Sequence, residues 1–477
     1  MRKMTQLYDT IILGAGWSGA VAAQSLAGKG HKVLVLEARD RVGGRAQTWV
    51  GGGAKVDVGC SWIHGYREGN PTRGIAKSLG VDAHLPKPAD GVIYGPNGMR
   101  LLSKEETASL RANLSAAQAS LKTPHPAPSP TASLASGLFA SLSPLFKGGK
   151  PASKPEDTNL AQDFARMLEV PLGVKLEKAS LKWAGWETST NFAGSDAAPE
   201  GGYEALVGKV LADAKSKGAE VKLSSKVEKV EDGSESATVT AGGSTYTART
   251  ILSTIPLGVL KKLSSDFFSP ALPPALQETI KGTHVGVLEK LLLQYPSAWW
   301  PEAEKIGSYT FLPTGPTPTP NSSLQEVFDG STIMCANFAA PSLPGPTPTL
   351  LSYLSETPAT LLLKHDPKDV AEAYHQFLIS RFKPSTPPPS PSNSNLTNWL
   401  TDEYSHGATT TPSIVSDGER SPMDFKELGR PVWSGRLGFA GEHTDMDHRG
   451  SVAGAVVSGQ READRIDRFL ARLDDEA

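Results

Sequence analysis

The sequence predicts an α/β and α+β protein in which a Rossmann-like nucleotide-binding domain interleaves with a second domain, a mixed β-sheet flanked by helices. Three observations predict it. A β-α-β unit with a glycine-rich turn opens the chain; a run of β-strands occupies the middle; and a strand followed by a long amphipathic helix closes it. The 477 residues also exceed what one ordinary core accommodates.

In the first unit, "DTIILGAG" reads as a strand, "WSGAVAAQSLAGKG" as a helix ending near Gly28 and Gly30, and "HKVLVLEAR" as a second, parallel strand. A helical or irregular region follows from about Thr72 to Lys182. It contains a Pro/Ser/Ala-rich stretch, 122–156, expected to be a partly disordered surface insertion. Residues 218–260 alternate apolar and polar side chains around turns at Asp232-Gly233 and Gly242-Gly243. Strands near 285–295, 307–312 and 332–338 can build a second sheet, with proline clusters at 312–323, 340–350 and 383–395 as elongated loops between strands. In the last helix Val452, Val456, Ala463, Ile466 and Leu470 fall on one face. The expected partition gives 1–75, 201–262 and 406–477 to the nucleotide domain, and 76–200 and 263–405 to the other.

Composition narrows the function classes. Apolar residues make up 39% and charged residues 21%, as in a soluble globular chain, and a net charge of −2 gives no reason for a polyanion partner. Two cysteines, Cys60 and Cys335, cannot build a disulfide framework, and no C-x-x-C metal spacing occurs. No stretch approaches the ~18 apolar residues of a membrane span. A cytoplasmic protein with no metal, nucleic-acid or membrane partner, a monomer or weak homodimer, is the expectation.

Gly14-Ala15-Gly16-Trp17-Ser18-Gly19 matches G-x-G-x-x-G between a strand and a helix. The first glycine makes a tight turn, the second lets backbone approach a pyrophosphate, and the third lets helix pack on sheet. Phosphates then sit at a helix N-terminus, where Ser18 lies. Glu37 follows about 20 residues on, placed to accept ribose hydroxyls and to disfavour a 2′-phosphate. Ala38 and Arg39 continue from it.

"EARDRVGGRAQTW" then adds Gly43, Gly44 and Arg45 directly after the acid-bearing strand. Here the chain resembles the flavin-dependent amine oxidase family, which carries G-x-G-x-x-G and then E-A-x-x-R-x-G-G-R. The resemblance implies a glutathione-reductase-type domain binding FAD non-covalently, with the second glycine pair and the arginine along its phosphates. Carotenoid desaturases and protoporphyrinogen oxidases share this start. Four later stretches extend the likeness: "VDVGCSWIHGYREGNP" (56–71), "GGYEALVGKVLADA" (201–214), "ILSTIPLGVLKK" (251–262), and "GFAGEHT" (438–444) with "GAVVSGQREADRI" (454–466). The likeness is strongest to polyamine oxidases of the spermine and N1-acetylpolyamine type. It implies a small polyamine and O2 as substrates. Gly59, Cys60, Ser61, Trp62, Val227, Thr254, Pro256, Trp399, Gly441, Glu442, Ser451 and Val452 are then further FAD contacts.

"GVLEKLLLQY" (286–295) sets one lysine, Lys290, in an apolar strand. The plain reading is an edge-strand lysine whose stem covers apolar surface. The family resemblance instead implies a catalytic lysine holding a water against the flavin. His64, in W-I-H-G, is implied as a second catalytic residue that hydrogen-bonds the amine, against a purely structural histidine. Trp62, Glu187, Tyr404 and Ser451 complete the implied substrate site: Glu187 to pair a distal ammonium, Tyr404 as an aromatic wall, and Ser451 where monoamine oxidases place an aromatic. A histone-lysine-demethylase-like enzyme, another flavoprotein and a silent FAD-bound scaffold are the rival readings.

Overall fold

The computed structural model describes residues 6–96, 100–123, 126–146, 155–187, 194–411, 415 and 420–475. Two sheets organise them. The first contains eight strands among the described residues, ordered Phe268–Ser269, Val227–Asp232, Ala237–Ala241, Ser244–Ser253, Leu7–Leu13, Val33–Leu36 and Glu220–Lys222, with Leu437–Phe439 added alongside Ser244–Ser253. Leu7–Leu13 runs parallel to both of its neighbours, as the opening β-α-β unit requires. The helix Trp17–Gly28 crosses this sheet and packs between the helices Tyr203–Ser216 and Val452–Asp475. Ala20, Ala22, Ala23 and Leu26 are fully enclosed there, as are Val456, Ala463, Ile466 and Leu470 of the terminal helix. Small side chains on the first helix let the last one approach closely.

The second sheet has the order Asn393–Leu396, Glu289–Gln294, Thr349–Leu354, Ile333–Asn337, Ile306–Phe311, Asp90–Tyr94. Strands at 289–294, 306–311 and 333–337 match expectation; the other three carried no clear signal. Glu289–Gln294 is flanked on both sides, so Lys290 does not lie on an edge. Side chains alternate faces along a strand. Leu291 and Leu293 therefore join Phe328, Tyr374 and Phe377 in the helical layer. Lys290, Leu292 and Gln294 face the other way, onto the hairpin Thr48–Gly51/Ala54–Asp57. Leu292 packs on Val56 and Val58, and Gln294 donates to Gly51 O at 3.2 Å. Of the nearby leucines, Leu291 and Leu293 are thus on the opposite face, while Leu292 shares the Lys290 face and Leu288 lines the cavity with it.

Two expectations change. Phe268–Ser269 pairs parallel with Val227–Asp232, and Phe267, Phe268, Leu272, Leu276 and Ile280 belong to the first sheet's core, so the nucleotide-binding unit runs past 262. These apolar side chains are buried there. Within 122–156, the described part is packed rather than loose: Leu134–Leu138 is helical, and Leu138, Leu145 and Phe146 join Phe164 and Leu176 in a core. Of the three proline clusters only 340–350 links two strands; the other two adjoin the helices Leu324–Asp329 and Pro367–Phe382.

Candidate active site

One cavity of about 710 Å³ runs between the two sheets, within the ~300–1,000 Å³ typical of sites that engulf a small molecule. At one end stand Glu37, Ala38, Arg39, Val227 and Tyr404; in the middle Gly14, Gly16, Ser18, Gly43, Gly44, Arg45, Thr254 and Pro256; at the other end Gly59, Cys60, Ser61, Trp62, His64, Lys290, Trp399, Gly441, Glu442, Ser451 and Val452. Almost every residue singled out from the sequence lines this single space.

The Glu37 end is held by backbone. Ala15 N donates to Glu37 Oε2 at 2.7 Å and Arg39 N to Oε1 at 2.8 Å, so the carboxylate stands fixed at the cavity wall. Gly19 does not line the cavity. A Cβ there would meet Gly14 O at 2.1 Å, so its absence lets the helix seat on the strand. A Cβ on Gly16 would meet no protein atom nearer than 3.9 Å: the space beside it is open. Tyr404 is corrected. Its ring carries the Arg39 guanidinium at 5.2 Å and Lys226 Nζ at 5.6 Å, which sets it at the Glu37 end and not as a wall beside Lys290. Asp402 explains this, since it accepts from Arg39 and from Tyr404 N and ties the 402–404 turn to the first unit.

The Lys290 end is assembled from distant segments. Lys290 is 5% exposed. Its Nζ donates to Asp57 O at 3.0 Å, Gly59 O at 2.6 Å and Ser61 Oγ at 2.6 Å, and lies 5.5 Å from the Tyr353 ring centroid. Burial lowers its pKa to about 8, offset in part by the charge of Asp57. Asp57 itself is pushed up to about 6 by burial, although Thr48 Oγ1 and Tyr203 N donate to it. An ammonium has three N–H groups. All three find acceptors on the segment 57–61, one of them the Ser61 hydroxyl.

Glu289 precedes Lys290 and points to the other side, fully buried. It accepts from Thr397 Oγ1 (2.5 Å), Trp399 N (3.0 Å) and Leu400 N (2.8 Å) and so pins the loop that carries Trp399 to the lysine strand. Glu442 Oε2 accepts from Thr410 Oγ1 and Gly450 N, while Arg45 Nη2 lies 3.0 Å from Oε1. Burial works against its charge, yet Arg45 foremost keeps the Glu442 carboxyl below its ordinary range. Ser451 accepts from Gly454 N at 3.1 Å and caps the terminal helix.

His64 is half-exposed at the rim, its Nδ1 2.9 Å from Asp196 Oδ2. Burial raises the Asp196 carboxyl, but the His64 contact outweighs it and the pKa is lowered. Burial pushes the Tyr353 hydroxyl pKa up, and Trp62 acts against that shift. Glu187 closes the short helix Ala184–Glu187, and its side chain lies outside the described residues. Tyr353, Met334, Asp57, Asp196, Glu289 and Arg449 were not singled out from the sequence. Only strand register shows the first two, since Tyr353 pairs with both Lys290 and Met334.

The residues fit FAD. Glu37 can accept hydroxyls at one end, the helix Trp17–Gly28 starts beside the open face of Gly16, and His443 Nδ1 is a buried polar atom on the cavity wall with no hydrogen-bond partner among the described residues.

Fold and cavity together define a two-domain flavin-dependent oxidoreductase. The chain belongs to the flavin-containing amine oxidoreductase family, whose pattern matches residues 17–467; it is an amine oxidase, and its cofactor is FAD. It is 26% identical to polyamine oxidase 3 of Oryza sativa subsp. japonica over 96% of this chain and 89% of that protein. It is 28% identical to lysine-specific histone demethylase 1 homolog 1 of Arabidopsis thaliana over 97% of this chain but 52% of that protein. A solved putrescine oxidase with putrescine bound has the same fold, with a TM-score of 0.73 at 19% identity over 97% of this chain and all of that one. Cyclohexylamine oxidase from Brevibacterium oxydans gives 0.72 at 22% identity over 98% and 100%. Among the described residues no helix is long and apolar enough to cross a membrane.

Proposed function

We propose that this amine oxidase acts on polyamines, oxidising a secondary amine of spermine, spermidine or their acetylated forms to an aldehyde and a shorter amine, with O2 giving hydrogen peroxide. The charge layout of the cavity carries this reading. Its acidic lining residues are Glu37, Glu403 and Glu442. Glu37 is held by backbone N–H groups, Glu403 pairs with Lys226 at 3.2 Å, and Glu442 is engaged by Arg45, Thr410 and Gly450. Among the described residues, the Lys290 end therefore offers a cation and apolar walls but no carboxylate without a partner. An ammonium is costly there, so the reacting nitrogen enters neutral. A second, distal ammonium finds Asp196 at the rim. The His64–Asp196 pair leaves His64 Nε2 to hydrogen-bond the amine.

FAD, when bound, takes the hydride from the carbon next to nitrogen and returns the electrons to O2. The chain does the rest: Trp399 and Tyr353 wall the dry end, Lys290 places a proton source in it, and Ser451 leaves room where a large side chain would block a long substrate. FAD attachment is non-covalent in this reading. Cys335 is buried in the second sheet, and burial pushes the Cys60 thiol up, so neither offers a thiolate.

The test is anaerobic mixing of the yellow protein with spermine, spermidine, N1-acetylspermine, benzylamine and a methyl-lysine peptide. Polyamines should bleach the flavin fastest. The similarity to histone demethylases supports methyl-lysine as the second reading, and faster bleaching by the peptide would select it. Bleaching by benzylamine alone would sink both.

A further inference from the structure

Three acceptors surround Lys290 Nζ, and they are not equivalent. Asp57 O and Gly59 O are carbonyls, which accept a hydrogen bond but cannot pass a proton on. Ser61 is a hydroxyl 2.6 Å from Nζ that lines the cavity. Among the described residues its own O–H has two long options, Asp57 O at 3.1 Å and Gly59 O at 3.3 Å. Swinging that O–H toward the cavity therefore gives up little hydrogen-bond energy.

The reaction needs such a path. A neutral amine plus O2 plus one proton gives an iminium plus hydrogen peroxide. The C–H bond breaks, its two electrons and hydrogen end on oxygen, and the second O–H bond requires a proton from outside the amine. In a cavity walled by Leu288, Met334, Trp399 and Tyr353, few groups can deliver it. The thiol of Cys60 and the hydroxyl of Tyr353 are both driven by burial to hold their protons more tightly. His64 stands out at the rim.

We propose that Ser61 is the proton relay of the oxygen half-reaction. Lys290 Nζ–H breaks as Ser61 Oγ takes that proton, and the Ser61 O–H breaks as the forming peroxide takes its own. Lys290 is left neutral and regains a proton from solvent before the next turnover. Asp57, Cys60 and Tyr353 are the titratable groups facing Lys290, and among the described residues none of their side chains accepts a hydrogen bond from Nζ in competition with Ser61. A lysine pKa near 8 suits a donor that must both give and recover a proton close to neutrality. The proposal rests on the amine-oxidase chemistry above, though not on which amine is used.

The experiment uses the FAD-loaded holoenzyme with Ser61→Ala and Ser61→Thr. Each is reduced photochemically, with no amine present, and mixed with O2 in H2O and in D2O. Ser61→Ala should reoxidise roughly 10–100-fold more slowly. Its solvent isotope effect should change, and Ser61→Thr, which keeps the hydroxyl, should recover most of the rate. In parallel, pH-dependent acetylation of Lys290, read by peptide mass spectrometry, should show a lower lysine pKa in Ser61→Ala, because the ammonium has lost an acceptor. Unchanged reoxidation in Ser61→Ala overturns the relay. So does equal slowing of reoxidation and of anaerobic reduction by amine, the mark of a merely structural role. Photoreduction keeps this result separate from the substrate: failure of every polyamine to bleach the flavin would remove the polyamine reading and leave the relay standing or falling on its own data.

Discussion

The two ends of the cavity are built by opposite means. At the Glu37 end, the carboxylate is fixed by backbone N–H groups 2 and 22 residues away in sequence. At the Lys290 end, the ammonium is fixed by groups 229 to 233 residues away. The first is a local motif that any chain with that spacing can fold. The second exists only when the Glu289–Gln294 strand docks on the Thr48–Asp57 hairpin. Binding of the nucleotide half is therefore separable from chemistry at the lysine half, and substitutions at the two ends should fail differently.

The largest effect is expected at the lysine. Lys290→Met keeps the volume and removes the proton source, so stopped-flow reoxidation should slow by roughly 10²–10⁴-fold while FAD stays bound. In the unsubstituted protein, reoxidation should decline as pH rises through about 8, where Lys290 becomes neutral. The stability sign is also fixed. A lysine whose folded pKa is depressed destabilises below that pKa, and this cost fades as pH rises from about 8 toward the unfolded value of 10.5. The advantage of Lys290→Met in urea unfolding should thus shrink across that window; an advantage that grew with pH would contradict the depressed pKa.

Next comes the buried carboxylate beside it. Glu289→Ala leaves the buried Trp399 N and the half-buried Leu400 N without an acceptor, which should cost about 2–4 kcal/mol in thermal or urea unfolding and loosen Trp399. A loss below about 0.5 kcal/mol would show that the loop is held by packing alone.

At the other end the effect is smaller and of another kind. Glu37→Gln should weaken FAD binding by about tenfold, through one charge-assisted partner, and leave the reoxidation rate constant of the loaded enzyme within about twofold. If it slowed reoxidation as strongly as Lys290→Met, the two ends would not be separable. Smallest is His64→Ala. The His64–Asp196 pair is half-exposed, and such pairs contribute ~0–1 kcal/mol, so stability should hardly move. KM for spermine should rise severalfold with kcat little changed; an unchanged KM would remove His64 from amine binding.

The sequence by itself determined the Glu37 end. Strand, glycine turn, helix, second strand and acid are contiguous, and each has a short-range cause: Gly19 because a Cβ would strike Gly14 O, and Glu37 because it ends a buried strand. It also marked Lys290, since a lone ammonium among leucines is an anomaly visible in one dimension.

What only the tertiary structure decided is where that ammonium points and what it touches. Alternation along the strand puts Lys290 with Leu292 and Gln294, and Leu291 and Leu293 on the opposite face. Tyr353 and Met334 reach the cavity through strand register, Tyr404 leaves the reacting end because Asp402 binds Arg39, and Phe268 extends the first sheet past the expected boundary. The physical reason is common to all of them. Local motifs are set by backbone geometry within a few residues, whereas contacts across hundreds of residues are chosen by which apolar faces bury together, and a single sequence does not print that pairing.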